Sequence, residues 1–229
     1  SAKNLLTDVA RTALVGRSTE SALDHLADLI SQAVTTIPDS DYERVRMAKE
    51  GKGTPSTSRL INGLVLEKRL ALERMPRKLE ECQIAVLSCP LELESSVVSS
   101  EIEINTPEQY EAFIDAEQKQ IDSITDKAIN SGAKAIFSAE GIDQRILHSL
   151  ADAGIFALGG IEKPMAEDIA KACSAMLCDH LDDISSSLGT IESLLHQRLE
   201  GAEGVRERLI IEVGPSAGIV TILVGGTDG

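Results

Sequence analysis

The run AIFSAEGIDQRILHSLADAGIFAL, residues 135–158, decides the fold class. It begins and ends in short apolar stretches, Ala135 to Ser138 and Ile155 to Leu158, with the length and composition of buried strands. Between them Ile142, Ile146, Leu147 and Leu150 recur at the spacing of one helix face, and Gly154 follows where a left-handed residue ends a helix. Strand, helix and strand make a β-α-β unit, whose two strands run parallel through a right-handed crossover. On this reading Ile142, Ile146 and Leu150 are core residues packing the helix on its sheet. The class is therefore α/β.

Outward from this unit, further candidate strands are Ile61 to Leu66, Ile84 to Ser88, Leu209 to Val213 and Ile219 to Val224. Pro164 stands at a first-turn position and starts a helix expected to reach about Leu177. Near the beginning, Asn4 to Val15 and Ser18 to Ile37 read as two helices broken at Gly16 and Arg17, the second capped by Ser18 and stopped by Pro38. The polar stretch from Asp39 to Ser58, with Gly51, Gly53 and Pro55, is expected to be a linker or loosely held hairpin at a domain boundary.

One element is too long for a compact domain. Thr106, Pro107, Glu108 and Gln109 form a capping box with proline at the first helical position, launching a helix that meets no breaker until about Asn130. At ~1.5 Å per residue it spans roughly 35 Å, so part of it is expected to project. Its first turns hold Tyr110 and Phe113, two of the five aromatic residues in the chain, and Ile114 beside them. If exposed, that end offers an apolar patch.

Composition narrows the function. Among 229 residues, 37 acids against 22 bases leave a net charge of -15, which opposes a surface that tracks phosphates. No Trp, two Tyr and three Phe leave little for bases to stack on, so nucleic acid is not an expected partner. The chain has no apolar run of about 18 residues and no export-type start, so neither a membrane span nor secretion is expected. The four cysteines then read as reduced thiols of a cytoplasmic protein.

Signals of chemistry are weak. The glycine-rich stretch from Gly225 to Gly229 follows a strand but no helix follows it, so a turn is favoured over a phosphate cradle. Cys173, Cys178, His180 and His196 match no common zinc spacing and read as buried thiols and surface imidazoles. No nucleophile elbow occurs, and His25, His148, His180 and His196 all fall in helical or polar surroundings. Neither catalytic residues nor a metal are expected.

Several strings taken together resemble the group II chaperonins, the thermosome of archaea and the eukaryotic cytosolic ring chaperonin. They are LINGLVLEK (60–68), Met75-Pro76, IAVLSCPLE (84–92), EIEINTPEQ (101–109) leading into Ala112-Phe113, Gly141-Ile142-Asp143, Ala153-Gly154-Ile155, and VTILVGGT (220–227). The resemblance implies an apical, polypeptide-recognising domain over residues 60–214, with a helical protrusion at about 95–130 acting as a lid. It implies parts of a mainly helical intermediate domain over 1–59 and 215–229.

Substrate contacts are then expected from Gln144, Arg145 and His148, and lid contacts from Ile104, Tyr110, Phe113 and Ile114. Arg17 stands where the family carries a lysine that senses the ATP phosphate, and Gly159-Gly160 stands where most members carry a basic pair. The phosphate-binding Gly-Asp-Gly-Thr-Thr motif of the family's equatorial domain is absent. The resemblance thus implies ATP and magnesium as cofactors of the full-length family and none for this chain. It implies unfolded polypeptides as partners, and like subunits in a double ring. A free-standing holding or scaffolding domain is the alternative.

Overall fold

The computed structural model describes residues 2–14, 20–37, 41–50, 53–93, 106–201 and 204–226. Strand β4 (Lys78–Leu87) lies in the middle of the larger of two sheets. Its half from Ile84 to Leu87 is buried without alternation, the pattern of a strand covered on both faces. Ile84 and Val86 join one apolar cluster, Ala85 and Leu87 the other.

The larger sheet runs β3 (Gly63–Leu66), β9 (Gly204–Glu212), β8 (Gly189–Gly201), β4, β5 (Ala135–Ser138), β6 (Phe156–Leu158), with the short β7 (Leu177–Cys178) also paired to β4. Strands β4, β5 and β6 are mutually parallel, and α4 (Gln144–Asp152) crosses from β5 to β6 as the sequence pattern requires. Helices α3 (Pro107–Asn130) and α4 cover one face through Ile121, Ala128, Ile146 and Leu150. Helix α5 (Lys163–Ala172) covers the other, where Ile169 packs with Phe137 and Phe156, whose ring centroids lie 5.7 Å apart.

The smaller sheet is β1 (Val45–Lys49), β10 (Val220–Val224) and β2 (Arg59–Ile61), with β1 parallel and β2 antiparallel to the central β10. Helix α2 (Glu20–Thr36) lays Leu29 and Ala33 against Val220 and Ile222. Helix α1 (Ala2–Leu14) packs on α2. Among the described residues no helix is long and apolar enough to cross a membrane.

Three expectations need correction, and one strand was not expected. The polar stretch 39–58 contains β1, an edge strand whose Arg46, Met47 and Lys49 are exposed, so its sequence lacks a strand's apolar signature. The run Ile61 to Leu66 is two strands in different sheets, divided at Asn62 and Gly63. A Cβ on Gly63 would sit 2.0 Å from the Ile211 carbonyl oxygen, which is why the crossing needs glycine. The helix begun at Pro164 stops at Ala172, because Ser174 turns left-handed (φ 55°) and residues 177–178 pair with β4. Finally, β8 went unseen: its charged residues hide the buried Ile191, Leu194 and His196.

Gly189, at the start of β8, is packed against backbone: a Cβ there would lie 2.4 Å from the Cys173 carbonyl oxygen and 2.9 Å from the Ala175 nitrogen. Gly189→Ala is expected to destabilise the protein by about 1–3 kcal/mol. Gly226→Ala, with nothing within 4 Å of the added carbon, is expected to change stability by less than about 0.5 kcal/mol. Urea unfolding of the two variants checks both.

Candidate functional site

Helix α4 is fixed at both ends by its own sequence. Asp143 caps it, its Oδ1 accepting the Arg145 backbone amide at 2.7 Å. At the other end Gly154 adopts φ 73°, its amide bonds to Ala151 and the Ile155 amide reaches back to Leu150 at 2.9 Å. These two bonds form a Schellman motif, closed by the apolar contact of Ile155 with Leu150. The N-terminus is anchored to the segment after β4, since Asp143 donates to the Leu91 carbonyl and Leu91 to that of Gly141. With Ile146, Leu147, Leu150 and Ala151 buried, Gln144, Arg145 and His148 face outward.

Two of those three are already partnered. Arg145 turns its guanidinium back on Asp143, Nε and Nη2 lying 3.2 and 3.1 Å from the two carboxylate oxygens. The side-chain hydrogen bond from Arg145, seconded by its backbone amide, holds the Asp143 carboxyl below the usual range. His148 Nδ1 lies 2.6 Å from Arg74 Nη2, which also donates to the His148 carbonyl at 3.1 Å. A guanidinium has no lone pair to offer, so Nδ1 accepts and the imidazole carries its proton on Nε2. Arg74 reaches Asp152 as well, at 3.0 Å. The sequence reading missed Arg74, which is 74 positions from His148 and leaves no local periodic signal.

The start of α3 is the second surface. Thr106 caps it, accepting the Gln109 amide at 3.3 Å. Burial of the helix on the sheet begins only at Ile121 and continues at Thr125 and Ala128, so the first three turns extend past the core. There Tyr110 is 57% exposed and Ile114 43%, while Phe113 is half-buried. Ile104 and Arg17 lie outside the described residues, as do residues 95–105 of the expected lid segment.

Between α3, residues 89–93 and residues 179–182 runs a cleft of about 590 Å³ with Cys89, Leu93, Ile124 and Leu181 in its walls. Lys127 bridges to Asp182 at 2.7 Å and its hydrogen bond holds that carboxyl below the usual range. Burial pushes the Cys89 thiol up and takes the Cys173 thiol to about 12, so neither is an activated nucleophile. His196 corrects the sequence reading: it is buried in β8, with Nε2 3.0 Å from Glu207 Oε2. Among the described residues no group of three or more His, Cys, Asp or Glu is placed to hold a metal ion.

The glycine positions have structural reasons. The Gly225 amide donates to Ser58 Oγ at 2.9 Å, and a Cβ there would lie 2.2 Å from the Thr54 carbonyl oxygen. That amide is directed into the protein and not toward a ligand. Gly160 takes φ 66°, and a Cβ on Gly159 would lie 2.9 Å from Ile142 Cγ1, so the pair also serves the turn after β6. Thr227 to Gly229 lie outside the described residues.

Comparison with known proteins gives a consistent result. Residues 1–229 match the TCP-1/cpn60 chaperonin family. A thermosome subunit of Methanopyrus kandleri is 32% identical over 232 residues, covering 97% of this chain and 42% of the relative. Thermosome subunit alpha of Archaeoglobus fulgidus is 33% identical over 229 residues, covering 96% of this chain and 41% of the relative. The chain thus spans less than half the length of these relatives. Among solved structures, the open-state monomer of a group II chaperonin from Methanococcoides burtonii superposes with a TM-score of 0.70 at 25% identity, covering 99% of this chain and 52% of that one.

The Asp143 cap is open to test. Its carboxyl is lowered in the folded protein, so its contribution is present above the unfolded value of about 3.9 and is lost as pH falls through the folded value. Asp143→Ala is expected to cost about 1 kcal/mol at pH 7. The gap from wild type should close as pH falls through that window. Urea midpoints followed from pH 7 to acid for both proteins check this.

Proposed function

The chain belongs to the TCP-1/cpn60 chaperonin family, and on that footing we propose that it binds non-native polypeptide reversibly, as the apical and adjoining intermediate portion of an ATP-driven group II chaperonin. On this reading residues 60–214 form the apical domain, and 1–59 with 215–229 belong to the intermediate domain. The segment 95–130 is the lid. The observation that carries the reading is the start of α3, where Tyr110 and Ile114 project with the helix beyond the core.

The chemistry asked of such a surface is modest. A client chain exposes apolar side chains that its own fold would bury, and transferring each from water to a partly apolar surface is favourable by about 25 cal/mol per Å². Tyr110 and Ile114 supply that area on one side of α3. Gln144, Arg145 and His148 supply a polar surface on α4, where Arg74 holds the His148 ring by Nδ1 and Arg145 is reined in by Asp143. Binding by side chains held in weak, exposed pairs is reversible, because such pairs exchange partners at a cost of less than about 1 kcal/mol each. A net charge of -15 favours clients with exposed basic residues and keeps the surface from self-association.

Nucleotide chemistry is assigned to the full-length family and not to these residues. Gly225 spends its amide on Ser58, so titration of this chain with magnesium and ATP is expected to give no binding heat. Polypeptide binding is tested by light scattering of a denatured, aggregation-prone protein diluted into the chain. The wild-type chain should suppress scattering at an equimolar ratio. Tyr110→Ser with Ile114→Ser should lose at least half of that suppression with an unchanged thermal midpoint. Undiminished suppression by the double variant would show that α3 does not bind the client.

A further inference from the structure

Past His196 the hairpin of β8 and β9 runs beyond the strands on either side of it. The β4 ladder ends at Lys78 with Leu195, and the β3 ladder at Leu66 with Leu209. From Gln197 with Arg208 to Gly201 with Gly204, the two strands pair only with each other among the described residues. A two-stranded ribbon is marginally stable in water, and its open edges are templates for a further strand.

The direction of the peptide groups on the outer edge of β8 follows from its last bond to the sheet. The His196 amide donates to the Arg77 carbonyl at 2.7 Å, on the side away from β9. Peptide groups alternate along an antiparallel strand, so Arg198 and Glu200 aim their N–H and C=O groups to that same side. Among the described residues no strand receives them. Open edges are commonly blunted by lysine, proline or a bulge. This one carries Arg198, Leu199 and Glu200 in an unbroken ladder with β9.

The side chains at the two outward positions are exposed. Glu207, which stands opposite Arg198 on β9, is engaged by His196 at 3.0 Å. A positive and a negative residue two positions apart on an open edge complement themselves when an antiparallel copy meets them. Three two-fold registers centre on this edge. A centre on Arg198 sets arginine against arginine and calls on the His196 amide, which the Arg77 carbonyl already holds. A centre on Glu200 sets glutamate against glutamate. A centre on Leu199 sets each Arg198 against the Glu200 of a second copy. It also brings together the two Leu199 side chains, half-buried in the single chain.

We propose that the outer edge of β8 over residues 198–200 docks a second copy of this chain, antiparallel about Leu199, so that two ribbons become one four-stranded sheet. Arg198 and Glu200 then exchange backbone bonds as well as charge. A two-fold contact closes on itself and joins chains in pairs, unlike the head-to-tail contacts that build a ring. It does not depend on what α3 or α4 binds. The contact is small beside the ~800 Å² per partner of a standard interface, so pairing depends on concentration. The charge of -15 on each chain opposes it, but at ~0.15 M salt that repulsion is screened beyond ~8 Å. The ribbon itself carries Arg198, Arg206 and Arg208 against Glu200 and Glu207.

Sedimentation velocity of the full chain at ~0.15 M salt tests the pairing. Monomer should give way to dimer as concentration rises to about 1 mM. Arg198→Glu and Glu200→Arg each set like charges together and should weaken the dimer about tenfold or more. Mixing the two variants in equal amounts pairs opposite charges again and should restore the dimer, which a folding defect cannot do. Leu199→Cys should form a disulfide-linked dimer with glutathione disulfide as oxidant, because facing residues of such a pair lie about 4.5 Å apart at Cα, within disulfide reach. The wild-type chain, whose Cys82, Cys89, Cys173 and Cys178 are free thiols, should give no linked dimer under the same oxidant. A chain that stays monomeric at the highest concentration overturns the proposal, and so does a dimer untouched by both charge variants or not restored by their mixture. If the Leu199→Cys thiol is shielded from alkylation only when an unfolded polypeptide is added, the edge belongs to that polypeptide and the pairing is wrong.

Discussion

Burial of β4 on both faces is the constraint from which the remaining structure follows. Ile84, Ala85, Val86 and Leu87 are shut off from solvent, and a side chain of the Val, Leu or Ile class contributes about 1.5–3 kcal/mol when fully buried. To bury both faces, the chain must place helices on each side: α5 over Ile84 and Val86, α3 and α4 over Ala85 and Leu87. The strand is also paired along both edges, by β5 on one and by β8 then β7 on the other. The length of α3 that rests on the sheet is thereby limited to the part from Ile121 onward, and among the described residues its earlier turns bury no side chain fully. The projecting apolar end is a geometric consequence of a helix longer than its sheet.

The surface that α4 presents is set by a different kind of interaction. Asp143 and Arg74 contribute little net stability as exposed ion pairs. They determine where Arg145 and His148 point. A scaffold held by apolar burial thus carries an outer face of α4 held by weak polar contacts. That division would suit the polypeptide binding proposed above, since rearranging those side chains does not disturb the core.

What the sequence made legible depended on whether the signal was local. The β-α-β unit was readable because the period of α4 and the unbroken apolar runs of β5 and β6 each fit within a short window, and the start of α3 because Thr106 and Pro107 stand at its first turn. Strand β8 was not readable, since one of its ladders is with β4, more than a hundred residues away, and its buried His196 is partnered by Glu207 on the neighbouring strand. Strand β1 was hidden for the same reason, being an edge strand whose ladder, among the described residues, is with β10 alone. At the candidate site, exposure of Gln144, Arg145 and His148 could be inferred from the helix period, but their partners could not. Arg74 and the Gly159-Gly160 turn are set by contacts between separate segments, which composition and spacing do not encode.

The account's central claim is that non-native polypeptide is held on the projecting turns of α3 and the outer face of α4, over a scaffold that does not change. Hydrogen exchange read by mass spectrometry on this chain, free and saturated with a permanently unfolded polypeptide, tests it most directly. The account predicts new protection in peptides covering residues 106–120 and 144–152, with the β4, β5 and β6 amides as slow to exchange as before. Protection confined to the smaller sheet and α2, or none at all at saturation, would contradict it.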